Sequence, residues 1–209
     1  MKKYELTENY IIFNGKKLFQ IKALIQFRDV KPGDLGGYIE KEMNLSHYNN
    51  AWVSGDAMIF GDAMIFGDAK ICGDAMICDN AVICDNAAIC DNAVICDNAR
   101  IFGNARIFGN VHVRGDASVN GNAVIQTNKD YTCICGFGSE YRTTTCFRLD
   151  NKDIGVCCGC FYGTLNEFRK KVKETHNDNK YAKEYLMIAD LMEYHFSNNE
   201  EINTYENSN

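Results

Sequence analysis

Apolar residues recur through the middle of the chain with a period of six, which is neither the two of a plain strand nor the 3.6 of a helix. From Gly55 to Gln126 the sequence reads as twelve hexads without an insertion, starting GDAMIF, GDAMIF, GDAKIC and ending GNVHVR, GDASVN, GNAVIQ. Within a hexad the Ala and the Ile stand two apart and share one strand face, while the residues between and beyond them face the other way. The Gly-Asp, Asp-Asn or Gly-Asn pair supplies residue types that tolerate left-handed backbone and tight corners. Each hexad is therefore a short strand followed by a corner, and three such sides close an eighteen-residue coil. This predicts a triangular parallel β-helix in which equivalent residues stack at about 4.8 Å. The inward columns are Ile59/Ile77/Ile95/Val113, Ile65/Ile83/Ile101/Val119 and Ile71/Ile89/Ile107/Ile125. Twelve hexads give four coils. NNAWVS at 49–54 reads as a thirteenth hexad, and residues 43–48 as a degenerate one with His47 in the aliphatic slot.

The flanks follow other patterns. Residues 1–42 read as an N-terminal cap, with strands at 10–13 and 18–24 around the Asn14-Gly15 turn signal. Strand-like runs return at 131–137, 141–149 and 154–161. Thr164 and Glu167 form a capping box, which predicts a helix to about residue 175. A second helix fits 181–196, with Tyr181, Tyr185, Ile188, Met192 and Phe196 on one stripe. The domains expected are thus 1–42, a repeat region 43–126, a β-plus-two-helix unit 127–196 and a disordered polar tail 197–209.

The repeat resembles the hexapeptide-repeat superfamily, and that resemblance implies a left-handed helix; ordinary parallel crossovers are right-handed. Two flanking stretches carry a narrower likeness. Lys31-Pro32-Gly33-Asp34-Leu35-Gly36-Gly37-Tyr38-Ile39-Glu40-Lys41 leads into Asn44-Leu45-Ser46, and Cys158-Gly159-Cys160-Phe161-Tyr162-Gly163-Thr164-Leu165-Asn166-Glu167-Phe168 follows the repeats. Together they resemble bacterial, phage and prophage hexapeptide-repeat proteins labelled polymer-forming or acyltransferase-like.

The outward positions should be polar on an exposed wall, yet many are not. One side carries Met58, Phe60, Met76, Cys78, Val94 and Cys96, and the next carries Met64, Phe66 and Phe102 with Val82 and Cys84. Contiguous apolar surface of this kind marks an interface. Self-association is the expectation, trimeric by the family resemblance; the alternative is that the C-terminal helices fold back over one side. His112 is the lone histidine of the twelve hexads and the candidate general base that an acyltransferase would need, with Arg114 two residues on. No loop interrupts the hexads to build an acyl-donor site, so the expectation is a surface histidine. Cys133, Cys135, Cys158 and Cys160 would meet as four metal-binding thiolates only if their strands were neighbours. Arg142, Arg148, Arg169 and Lys170 would hold an anion if they converged, against the plainer reading of a solvated basic surface. The stacked corner acids Asp79, Asp85, Asp91 and Asp97 would imitate a phosphate backbone, although corners favour aspartate in any case.

Composition narrows the function. A net charge of −6 argues against direct nucleic-acid binding. Eleven cysteines, with no apolar stretch behind Met1-Lys2-Lys3, point to a reducing cytoplasm and free thiols. No apolar run is long enough to span a membrane. The expectation is a non-enzymatic binding or scaffold protein that uses no cofactor. It would associate with itself, and the phage-like resemblance implies a host protein as partner and a role as a phage-borne inhibitor of a host system. The alternatives are a CoA-dependent acyltransferase and an acidic nucleic-acid mimic or nucleotide-binding protein.

Overall fold

The computed structural model describes residues 2–197. Beyond Ser197, the tail expected to be disordered lies outside the described residues. The chain is mainly β: a parallel β-solenoid of about five turns, followed by an antiparallel four-stranded sheet and two helices. Each hexad forms a two-residue strand, such as Met76–Ile77 or Val82–Ile83, and a corner in the left-handed region of backbone space. Glycine is the natural occupant of such a corner, but Asp79, Asp85, Asp91 and Asp97 hold it too, with φ of 56° to 59°. Their carboxylates offset part of that cost. Asp85, Asp91 and Asp97 each accept the backbone N–H of the glycine one coil on, at 3.0, 2.9 and 2.8 Å.

The strands line up in three sheets, so residues eighteen apart are neighbours in the stack. Ile77 pairs with Ile95, Ile83 with Ile101 and Ile89 with Ile107. The three inward columns are as the hexad pattern predicts, and every member is 0–1% exposed. The alanines beside them are equally buried, because the walls converge at the corners and leave room for one methyl group.

The first turn departs from the sequence reading. β3 (Leu35–Ile39), expected in the cap, is itself the first strand of one side and runs parallel to Met58–Ile59. Leu45, not His47, occupies the aliphatic slot, since Leu45 bridges to Ile65. That turn is two residues longer than the later ones, which is why counting back in sixes from Gly55 misplaces it. His47 instead stacks on Tyr4, with ring centroids 4.3 Å apart, and its Nδ1 accepts the Lys3 N–H at 3.2 Å.

A stack of coils leaves orphan backbone groups at both ends, and each cap supplies the complementary side chain. At the N-terminal end the Ala51 carbonyl accepts from Lys3 Nζ at 2.6 Å, and the Leu45 carbonyl from the Tyr4 hydroxyl at 2.7 Å. Burial, reinforced by Arg28, pulls the Lys3 ammonium down to about 8. At the C-terminal end the N–H of His112 is taken by Asn128 Oδ1 at 2.8 Å, that of Ser118 by Thr145 Oγ1 at 3.0 Å and that of Gln126 by Asp130 Oδ2 at 3.0 Å.

The N-terminal strands do two jobs. β1 (Tyr4–Phe13) and β2 (Lys16–Ala23) form a hairpin whose register slips between Leu6 and Tyr10. At its base, Tyr4 and Ile21 close the solenoid core. At its tip, Ile11, Phe13 and Leu18 lap onto the outside of the first wall, over Phe60 and Cys78. At the slip three residues of β1, 7–9, oppose the single residue Gln20 of β2.

The C-terminal sheet is built of Tyr131–Ile134, Thr144–Arg148, Ile154–Cys158 and Phe161–Thr164, one strand more than the pattern suggested. Thr144–Arg148 is buried on both faces. Phe147 plugs the solenoid end, while Cys146 faces α1 (Leu165–His176) and α2 (Lys180–Phe196). The capping box at Thr164 and Glu167 is present as read, and Tyr185, Ile188, Met192 and Phe196 are buried along their stripe.

Candidate functional site

The apolar walls meet different fates. On the first, Phe60 and Cys78 are buried, and Met58, Met76 and Cys96 pack against the same cluster under the hairpin tip. Val94 is half-buried. These residues were expected at an intermolecular interface; the chain covers most of them itself. The cover comes from the N-terminal hairpin rather than from the C-terminal helices, which pack on their own sheet. The second wall stays open. Met64 and Phe66 are 44% and 39% exposed, and Val82, Cys84 and Phe102 continue the strip half-buried. Its far end meets the 140–143 loop across a groove that also takes in Arg100 and Ser118. A third apolar strip, with no role in the sequence reading, runs along α2: Met187, Leu191 and Tyr194 are all more than half exposed. Its i, i+4, i+7 spacing was legible, but which of two stripes faces inward was not.

His112 is exposed at the C-terminal end of the first wall. It lines a cleft of about 480 Å³ with Arg114, Asn128, Tyr131, Thr132 and Cys133. The Tyr131 hydroxyl donates to the His112 carbonyl at 2.7 Å, fixing the cleft wall to the last rung. The sequence placed His112 and Arg114 on one strand face. It could not bring the 128–133 segment to them, because no local signal says where a chain returns.

The four cysteines expected as a metal set do not assemble. The Thr144–Arg148 strand lies between Tyr131–Ile134 and Ile154–Cys158, so Cys133 and Cys158 belong to strands that are not neighbours. Cys160 lies in the turn that follows Cys158. Among the described residues one group could offer three ligand atoms within 4.8 Å of one another, Asp79, Cys96 and Asp97. Its carboxylates are already engaged: Asp79 accepts the Asp97 N–H at 3.3 Å and Asp97 the Gly115 N–H at 2.8 Å.

Nor are the thiols all free. Cys72 and Cys90 form a disulfide between adjacent coils, with Cα atoms 4.6 Å apart. Coil stacking alone brings equivalent Cα atoms within disulfide range. Other thiols are held protonated: burial pushes Cys78, Cys146 and Cys157 up to about 12 and Cys84 to about 11. Tyr185 rises to about 12 for the same reason, helped by Cys158. A group whose folded pKa is raised stabilises the fold below its unfolded value and loses that contribution as pH rises past it. Lys3, lowered to about 8, acts oppositely, gaining stability between 8 and 10.5. The raised groups outnumber it. The thermal midpoint followed by circular dichroism should therefore fall steadily from pH 9 towards pH 11. A midpoint that rises over that interval would contradict the burial of these thiols.

The proposed anion-binding residues are dispersed. Arg169 bridges α1 to α2, 2.8 Å from both Asp190 and Glu193. Arg148 donates to the Phe196 carbonyl at the end of α2. Arg142 lies 3.9 Å from Glu140, and Lys170 is exposed on α1. Two of the four guanidinium and ammonium groups are thus structural clasps. The corners carry amide ladders: Asn80 to Asn98 at 3.1 Å, Asn98 to Asp116 at 2.9 Å, Asn86 to Asn104 and Asn104 to Asn122 at 3.1 Å. Bonds along the stack account for these asparagines, and the corner acids Asp85, Asp91 and Asp97 likewise each accept a backbone N–H from the next coil.

The hexad register, the three sheets and the buried aliphatic columns define the class: this is a hexapeptide-repeat β-solenoid protein. Within it, residues 99–115 match the family model described as the YdcK β-solenoid repeat, a stretch that includes Arg100, Arg106 and His112. No curated protein matches the chain. No helix among the described residues is long and apolar enough to cross a membrane.

Proposed function

We propose that this protein is a non-enzymatic binding scaffold that associates with a second copy of itself through the open second wall. The remaining surfaces are then presented to a protein partner. The observation that supports this is the exposure of Met64 and Phe66 at the head of an apolar strip on a rigid, uninterrupted solenoid. Both ends of the stack are capped by side chains of the same chain, which disfavours coil-on-coil polymerisation and leaves the sides for assembly. A trimer, and a role as a phage-borne inhibitor of a host system, are the finer readings that the family resemblance suggests. A reducing cytoplasm suits the nine free cysteines, whereas the Cys72–Cys90 disulfide argues for an oxidising setting.

The test is the paired substitution Met64→Asp with Phe66→Asp, one on the strand Met64–Ile65 and one just after it, both exposed. Sedimentation should show the wild type larger than a monomer and the variant monomeric, with unchanged β-rich circular dichroism. A wild type that sediments as a monomer at tens of micromolar sinks the assembly reading. The acyltransferase alternative draws on His112, the histidine of the repeat region that lines a cleft. It predicts acetyl transfer from acetyl-CoA that disappears in His112→Ala, and the scaffold reading predicts none in either protein.

A further inference from the structure

We infer that the cleft at the C-terminal end of the first wall is a binding site for a phosphate-class oxyanion. Donors dominate its lining. His112 opens the two-residue strand His112–Val113, Arg114 follows it two positions on, and both are exposed. Asn128 spends its Oδ1 on the His112 backbone N–H, which leaves its Nδ2 amino group to donate. Thr132 adds a hydroxyl, and Tyr131 and Cys133 flank it on an edge strand that pairs on one side alone. Among the described residues no carboxylate lines the cleft, although the Asp116 charge reaches the Cys133 thiol at its edge and the chain as a whole carries a net charge of −6. The acids nearest in sequence are engaged elsewhere: Asp116 accepts from Asn98 at 2.9 Å within a corner ladder, and Asp130 accepts the Gln126 and Thr127 N–H groups at 3.0 and 2.7 Å. Arg114 forms no ion pair among the described residues, unlike Arg169, which has two.

The number of donors selects the ligand. A guanidinium fork, an imidazole, an amide and a hydroxyl exceed what the two oxygens of a carboxylate can absorb, and suit the three oxygens of a phosphomonoester or inorganic phosphate. The volume, about 480 Å³, lies within the range of small-molecule sites and leaves room for a group attached to the phosphate. The preorganisation is structural: the Asn128 and Tyr131 bonds that cap the last rung are the same ones that fix the cleft wall. This site lies on the first wall, away from the open strip at Met64 and Phe66, so it stands or falls separately from the assembly reading.

The test is proton NMR of the full chain, following the imidazole C2–H signals of its four histidines at fixed pH and ionic strength. The His112 signal is assigned by its loss in His112→Gln. Inorganic phosphate should shift the His112 signal saturably in the millimolar range and leave that of exposed His195 in place. Acetate should bind more weakly. Arg114→Gln should raise the phosphate midpoint about tenfold, as loss of one charge-assisted bond implies. Arg106→Gln, at another exposed arginine on another wall, should leave the midpoint unchanged. A shift that never saturates, acetate binding as tightly as phosphate, or equal weakening by Arg106→Gln would each overturn the assignment.

Discussion

Replacing Ile83 with aspartate should abolish folding. Ile83 is fully buried, stacked between Ile65 one coil before and Ile101 one coil after. The nearest side chains are other aliphatic residues of the same three columns, so a carboxylate placed there has neither water nor a donor to meet it. An uncompensated buried charge of this kind exceeds the entire stability of an ordinary domain, about 5–15 kcal/mol, unless the group stays protonated or the fold opens. Ile83→Ala is the graded companion. It leaves a cavity in a column that the backbone ladder on either side keeps from collapsing, at about 2–5 kcal/mol. Denaturant unfolding followed by circular dichroism reads both. A cooperative transition for Ile83→Asp with wild-type midpoint would mean that the hexad register is shifted by one residue, with every inward side chain exchanged for its outward neighbour.

The second large effect is expected at Leu18. Its side chain is fully buried at the tip of the N-terminal hairpin, against Phe60 and Cys78. Leu18→Asp should lift the tip from the wall while the base, pinned by Lys3 and Tyr4, stays docked. The cost is about 2–4 kcal/mol, the usual result of putting a charge into an apolar cluster that can still open to water. The diagnostic reading is chemical. Cys78, buried in the native protein, should become alkylated by iodoacetamide, while Cys157, in the separate cap at the other end of the stack, stays protected. Circular dichroism should remain β-rich. Unchanged protection of Cys78 would show that the tip does not cover it. Exposure of Phe60 together with Met58 and Met76 should also make the variant prone to association, which ties this experiment to the question of why one wall is covered and the other open.

Much of the architecture is determined by the sequence alone. A period of six with small residues at one inward slot and aliphatic residues at the other fixes both the register and the eighteen-residue spacing, because a one-residue slip would bury the aspartates and expose the isoleucines. The corner chemistry of Gly, Asp and Asn and the Thr164 capping box are equally local, and both appear where the pattern puts them. Tertiary structure alone decided the rest. Leu45 takes the slot read for His47 because the first turn is two residues longer, and only its pairing with Ile65 reveals that. One hairpin serves as both a plug and a lid, so Phe60 and Cys78 are buried while the similar residues Met64 and Phe66 are not. Strand order separates Cys133 from Cys158, and it also brings Tyr131 to His112. The physical reason is the same in each case. Periodicity states which side of a strand is apolar, and only the returning chain determines whether that side meets a neighbour, a cap or water.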